Sequence, residues 1–168
     1  MYQASAPRFA NMLRNLSALI DKAEAHCAAK KIEPTALTTF RLYPDMFPFT
    51  RQVQIACDTA KGAVARLAGA EIPKHDDTEQ SFGDLKTRIA KTLDFIESVG
   101  AGKIDGTEDK EIVLSMRSGE RRFKGMQYLL GFAYPNFYFH ITTAYALLRA
   151  NGVPLGKVDY LAGAQNAG

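Results

Sequence analysis

The chain has 168 residues, of which 46% are hydrophobic and 23% are charged, and its formal net charge is +3. That length suits one domain with a core of its own. Lysine and arginine are interspersed with acidic residues, and no basic run favours binding to nucleic acid or to an anionic membrane surface. We expect a single domain over residues 1–162, followed by a flexible tail at 163–168.

The sequence carries no pattern typical of export or of membrane insertion. Its first residues lack a cationic stretch followed by an apolar core, and no run approaches about 18 apolar residues. Cys27 and Cys57 have no CxxC spacing, which is typical of free thiols in a reducing compartment. We therefore expect a cytoplasmic protein.

Apolar residues that recur every three and four positions predict a first helix over Ala6–Ala29. Pro34 ends this helix, because proline is not accommodated in a helix interior. A connector interrupted by prolines follows at 35–48. Within it, Arg41 is expected to form an ion pair with Asp45 or, alternatively, to bind an anion at the mouth of a pocket.

A second long helix is predicted over Phe49–Ala68, where small and apolar residues form one stripe that permits close approach of a neighbouring helix. Gln52 and Cys57 lie at opposite edges of this stripe, so both can look into the bundle. We expect the remaining polar face to be solvated or to form a subunit contact. Its members are Gln54, Asp58 and Lys61, the last two as an i,i+3 ion pair.

A loop and a third helix come next. His75, in the sequence KHDD, is expected to be exposed, and the two aspartates that follow could raise its pKa. The third helix begins at Thr78 or Ser81, with Asp84 completing a capping box, and ends at Gly100. In the crossover that follows, EIVLSM and RRFKGM flank RSGE and indicate a short β-hairpin.

The last helix, from Tyr134 to Gly152, carries the one well-placed histidine. Its core stripe leaves His140 about 60° from the centre, so the imidazole should point obliquely into the bundle. It is either a buried, hydrogen-bonded histidine or one that binds a ligand or acts in catalysis. Four amphipathic helices with one long crossover predict an all-α four-helix bundle, with any site in the core between facing helices. Val153 and the residues after it are expected to be loose.

The segments RQVQIACD and PNFYFHxTTAYALLRxNGVPLGK resemble those of a family of unknown function within the DinB/YfiT-like helical bundles. The resemblance covers nearly the whole chain and implies a DinB-like bundle. Better-understood DinB-like proteins resemble divalent-metal enzymes with one histidine on the second helix and two in an H-x3-H-x2-Q stretch. In this chain the matching positions of that stretch and beyond are Asn136, His140, Thr143, Arg149 and Gly152, of which His140, Arg149 and Gly152 keep the family residue.

The departures from the family pattern shape the functional expectation. The second helix has no histidine, and Cys57 or Asp58 falls near the expected position. A single imidazole with an amide is a poor site for Zn or Ni, so we expect no metal cofactor. The resemblance predicts a degenerate site that binds a small polar ligand or a protein partner without catalysis. The ligand-binding candidates are His140, Asn136, Gln52, Cys57 and Arg41.

Two other functions stay open at this point. One is a metal-assisted thiol transferase or hydrolase of the DinB-like type, which would use Zn or Ni, or a Cys57 thiol activated by His140. The other is a purely structural role as a homodimer. Its contact would be the face that carries Asp58, or the hairpin.

Overall fold

Four long helices form the body of the protein, shown by a computed structural model that describes residues 1–116 and 119–162. They are α1 (Ala6–Lys30), α3 (Phe49–Ala68), α4 (Phe82–Ser98) and α6 (Tyr134–Ala150), and the shorter helices are α2 (Pro34–Thr38), α5 (Gly125–Tyr128) and α7 (Lys157–Ala162). Within those two ranges, none of the helices combines the length and hydropathy that a bilayer crossing needs.

The four long helices pack as the predicted bundle. Both α1 and α3 lie against α4 and α6. Along α3, alanines face these neighbours, and Ala56, Ala60 and Ala63 are fully buried. Their small side chains let the helix axes approach closely, as the sequence predicts. Large side chains fill the rest of the core: Phe9, Leu13, Leu16, Phe49, Leu85, Ile89 and Phe137.

The crossover between α4 and α6 contains the predicted hairpin. Strands β1 (Glu111–Met116) and β2 (Gly119–Lys124) pair in antiparallel fashion as a two-stranded sheet. Residues 117 and 118, within the predicted RSGE turn, lie outside the described residues. After β2 the chain enters α5, and a π-helical turn over Leu129–Ala133 leads directly into α6.

The helix ends follow their local sequence signals. At the start of α4, Ser81 Oγ accepts a hydrogen bond from the Asp84 N–H at 3.1 Å, and Asp84 Oδ2 accepts one from the Ser81 N–H at 3.0 Å. This is the predicted capping box. Beyond α6, Gly152 adopts a φ of 83°, a left-handed conformation that favours glycine.

The expectation of a loose segment from Val153 onward is wrong for the part that the structure describes. Val153 and Leu155 are buried, and α7 packs against α1. Asn15 Nδ2 of α1 donates a hydrogen bond to the Tyr160 carbonyl oxygen at 3.1 Å. The apolar residues that follow the turn at Gly152 thus return the chain to the bundle. The predicted tail at 163–168 lies outside the described residues.

A buried arginine on α4 fastens the loop that joins α3 to α4. Arg88 is only 2% exposed. Its Nη2 lies 2.8 Å from Asp58 Oδ1 of α3 and 3.1 Å from Asp77 Oδ1 of the loop, and its Nη1 lies 2.9 Å from Glu79 Oε1. The Glu79 hydrogen bond and the nearby carboxylates outweigh the effect of burial, so the pKa of Arg88 is raised.

This loop covers the face of α3 that the sequence analysis predicts to be solvated or a subunit contact. Gln54 and Lys61 are each only 4% exposed, and Gln54 Nε2 donates to Glu79 Oε2 at 2.7 Å. The prediction of a solvated face is therefore wrong for these two side chains, because the loop lies over them. Two ion pairs hold the loop there, Glu79 with Arg88 of α4 and Asp77 with Arg51 of α3. The i,i+3 pair is present, with Lys61 Nζ 2.9 Å from Asp58 Oδ1. A dimer, through the part of this face that stays accessible at Asp58 or through the hairpin, stays a prediction.

We expect Arg88→Met to lower the free energy of unfolding by about 3–5 kcal/mol, because it leaves the Glu79 carboxylate, which is only 9% exposed, without its cation and removes the partner of Asp58 and Asp77. Arg122→Met is the matched control. Arg122 also contacts two carboxylates, those of Glu111 and Glu120, but all three side chains are exposed. Urea unfolding of both variants measures the difference, and similar small losses in the two would contradict the role given to Arg88.

Candidate functional site

The candidate site lies at the seam between α3 and α6. His140 Nδ1 of α6 is 2.6 Å from Gln52 Oε1 of α3, and the two residues are 7% and 1% exposed. The amide of Gln52 also reaches the chain just before α3, where its Nε2 donates to the Phe47 carbonyl oxygen at 3.0 Å. One amide therefore joins the imidazole of one helix to the backbone at the start of the other.

This chain of contacts fixes the imidazole tautomer. The Phe47 carbonyl oxygen can only accept, so the Gln52 NH2 group must face it and the Gln52 oxygen must face His140. That oxygen also only accepts, so the proton of a neutral imidazole lies on Nδ1. The lone pair is then on His140 Nε2. No hydrogen bond to this nitrogen comes from the described part of the chain.

The charge state of His140 follows from its surroundings. Burial, together with the Arg51 guanidinium, lowers the pKa of His140 from 6.5 to about 4. The ring is consequently neutral at neutral pH and its Nε2 is a hydrogen-bond acceptor. A base with so low a pKa is poorly matched to proton abstraction near pH 7.

A second polar pair lies beside the first. Asn136 Nδ2, one helical turn before His140, donates to Thr59 Oγ1 of α3 at 2.8 Å. Gln52 and Thr59 are seven residues apart and therefore share one face of α3. This face, rather than the predicted position near Cys57 or Asp58, is the side of α3 that meets Asn136 and His140.

Cys57 lies on another side of α3, about 140° around the helix from Gln52. Its side chain is fully buried and lies near Thr92 and Arg88 of α4. Burial raises the pKa of the Cys57 thiol to about 12. The thiol is thus protonated and faces α4, while His140 is hydrogen-bonded to Gln52, so the two do not form a nucleophile–base pair.

Arg41 is the remaining candidate, and it also stands apart from His140. It is exposed, and its Nη1 donates to the Met46 carbonyl oxygen at 2.6 Å. The expected ion pair with Asp45 is not among those of the described residues. This hydrogen bond instead closes the loop at 41–46. The residue after the loop is Phe47, whose carbonyl oxygen accepts the hydrogen bond from Gln52.

The donor set does not fit the divalent metal that the DinB resemblance implies. The residues facing each other across the seam offer one imidazole nitrogen, two amides and a hydroxyl, whereas Zn and Ni sites use several imidazole, thiolate or carboxylate ligands. Across residues 1–116 and 119–162, no three His, Cys, Asp or Glu side chains form a group able to hold a metal ion.

Three parts of the site escape sequence reasoning to different degrees. The Phe47 carbonyl is backbone, and no residue type signals its role. Arg51 affects the imidazole through its charge and is paired with Asp77 of a distant loop, and neither relation is visible as a sequence motif. Thr59 could have been found, because its spacing of seven from Gln52 places both on one helix face.

We expect the buried imidazole to make stability depend on pH. The unfolded chain binds a proton near pH 6.5 and the folded chain only near pH 4, so stability falls as pH decreases through this window. From pH 7 to pH 5 the loss is about 2 kcal/mol. Urea unfolding of the protein and of His140→Gln gives the difference. The pKa of His75 is also lowered, but its contribution to the pH dependence is the same in both proteins and cancels in the difference. Equal pH dependence in both proteins would contradict a neutral buried His140.

Comparisons with known proteins agree with this architecture. The family model of a domain of unknown function, DUF1993, matches residues 1–161. The chain is similar to the crystal structure of a DinB family member protein from Shewanella denitrificans, with 44% identity and a TM-score of 0.90 over 95% of this chain and 90% of that one. No curated protein matches. The chain therefore belongs to the DUF1993 family and is a DinB-like domain of unknown function.

Proposed function

We propose that this protein binds a small polar molecule at His140 without catalysing a reaction on it. The observation that carries the proposal is the unprotonated Nε2 of a neutral imidazole whose orientation is fixed by Gln52. A nitrogen held in this way accepts a hydrogen bond from an O–H or N–H group of a ligand. The buried pair of free cysteines fits a reducing compartment, and we place the protein in the cytoplasm.

The side chains around the imidazole favour a ligand with an apolar or aromatic part. The ring of Phe139 meets the His140 ring edge-on, with centroids 5.2 Å apart, and Phe139 is 55% exposed. Phe47, whose carbonyl holds Gln52, is also exposed, and the Arg51 guanidinium lies 6.0 Å from the centre of its ring. The positive charge of Arg51 disfavours a cationic ligand. We therefore propose a neutral hydrogen-bond donor attached to an apolar group.

Two chemical points weigh against the metal-assisted thiol transferase or hydrolase. A His140 pKa of about 4 is far below the value that a general base needs near neutral pH. A Cys57 pKa of about 12 leaves almost no thiolate, which is the nucleophilic form. Among the described residues, the donor set at the seam also lacks the ligands that a divalent metal would need to activate either group.

The test uses phenol and anisole, which share an aromatic ring while phenol alone donates a hydrogen bond. Long-range 1H–15N spectra of the imidazole report both the tautomer and the state of Nε2. We expect His140 to carry its proton on Nδ1 at pH 7. We expect phenol, and not anisole, to shift the Nε2 resonance in a saturable way, because its hydroxyl donates to the lone pair.

The Gln52→Leu variant is the control for orientation. It removes the acceptor that holds the Nδ1 proton, so we expect the tautomer preference and the phenol response to be lost while the apolar surroundings remain. His26→Gln, at the far end of α1, should change neither. Equal responses to phenol and anisole, or a ring protonated on Nε2, would contradict the proposal.

A further inference from the structure

The described residues leave two buried side-chain atoms without a hydrogen-bond partner, Nε of Arg88 and Nδ1 of His75. Both residues line one cleft of about 510 Å³ between the loop at 74–80 and α4. The expected exposure of His75 is wrong, because the loop folds its ring against the network around Arg88. Buried polar atoms without partners are rare in proteins, and a bound molecule is one way to satisfy them.

The acidic side chains of the cleft already have partners. Glu79 accepts from Arg88 and from Gln54, and Asp76 pairs with Lys74 at 3.4 Å. Asp84 accepts from the Ser81 N–H as part of the cap of α4. The carboxylates are therefore committed to contacts within the chain.

Several hydrogen-bond donors of the cleft, in contrast, lack partners among the described residues. Arg88 Nε–H has no acceptor, and in the part of the chain that the structure describes Lys91 has neither an ion pair nor a hydrogen bond. Burial and the charges of Lys61 and Arg88 lower the pKa of His75, so its ring is neutral and can still donate from Nδ1 in one of its tautomers. What the cleft lacks is an acceptor.

The charges around the cleft limit the kind of acceptor. The lining residues and their ion-pair partners supply balanced numbers of cations and carboxylates: Arg51, Lys61, Lys74, Arg88 and Lys91 against Asp58, Asp76, Asp77, Glu79 and Asp84. With little net charge to attract a multiply charged anion, directed hydrogen bonds must provide the affinity. Any anion on Arg88 lies close to the Glu79 carboxylate, and the repulsion is greater for a dianionic phosphate than for a singly charged ion.

We infer that this cleft binds a small monocarboxylic acid, with its carboxylate accepting from Arg88 Nε, from His75 Nδ1 and from Lys91. The volume lies in the range of small-molecule sites. The two buried atoms are closed to water, so a ligand in the cleft reaches them only when the loop at 74–80, which contains neither helix nor strand, shifts and gives up part of its contacts with Arg88. This site is separate from the His140 seam, and its test does not depend on ligand binding there.

The experiment follows the Arg88 Nε–H resonance and the loop amides by 1H–15N spectroscopy during titration with three probes. Propionate is the monocarboxylate, propionamide is a neutral acceptor of the same shape, and inorganic phosphate is the multiply charged anion. We expect propionate to shift the Arg88 Nε–H signal and the amides of 75–80 with one common dissociation constant. Propionamide and phosphate should bind more weakly.

Two variants keep the fold-critical Arg88 and change its neighbours. We expect His75→Leu and Lys91→Met each to raise the dissociation constant for propionate about three- to tenfold, since each removes one hydrogen bond to a charged ligand. Lys30→Met, an exposed lysine at the end of α1, should leave it unchanged. An unmoved Arg88 Nε–H signal, or equal affinities in Lys91→Met and Lys30→Met, would overturn the site. Tighter binding of phosphate would overturn the ligand class.

Discussion

The hydrogen bond between His140 and Gln52 is the contact on which the organisation of the site depends. Both groups are buried between α3 and α6, where an unpaired amide or imidazole would be strongly unfavourable. The two helices must therefore keep the register that brings these side chains together. Because Gln52 is held in turn by the Phe47 carbonyl, the seam also fixes how the preceding loop enters α3.

Helix α3 lies between two polar networks of different character. On the α6 side, neutral groups meet in pairs, His140 with Gln52 and Asn136 with Thr59. On the α4 side, charged groups surround Arg88. Arg51 connects the two sides, since it is paired with Asp77 of the loop and its charge reaches His140. Burial and the charge of Arg51 together keep the imidazole neutral at neutral pH.

The sequence was informative where a pattern reflects local chemistry. Periodic apolar residues gave the long helices, Ser81 and Asp84 gave the start of α4, and the edge position of His140 indicated a side chain directed into the bundle. It was uninformative where the outcome depends on long-range pairing. The face with Gln54 and Lys61 looks solvated because its polar side chains carry no sign that a loop more than ten residues away will cover them. Cys57 and Gln52 both border the apolar stripe, and only the packing of α4 and α6 decides which helix each one meets.

Measuring the metal content is the most direct test of the claim that the site between α3 and α6 binds its ligand through hydrogen bonds and not through a metal ion. Elemental analysis by mass spectrometry would be applied to untagged protein before and after dialysis against Zn and Ni, with His140→Ala treated in parallel. We expect no stoichiometric metal in either protein, because one imidazole nitrogen with neutral amides supplies too few suitable ligands. About one metal ion per chain, lost in His140→Ala, would contradict the non-metal site and favour the metal-assisted enzyme.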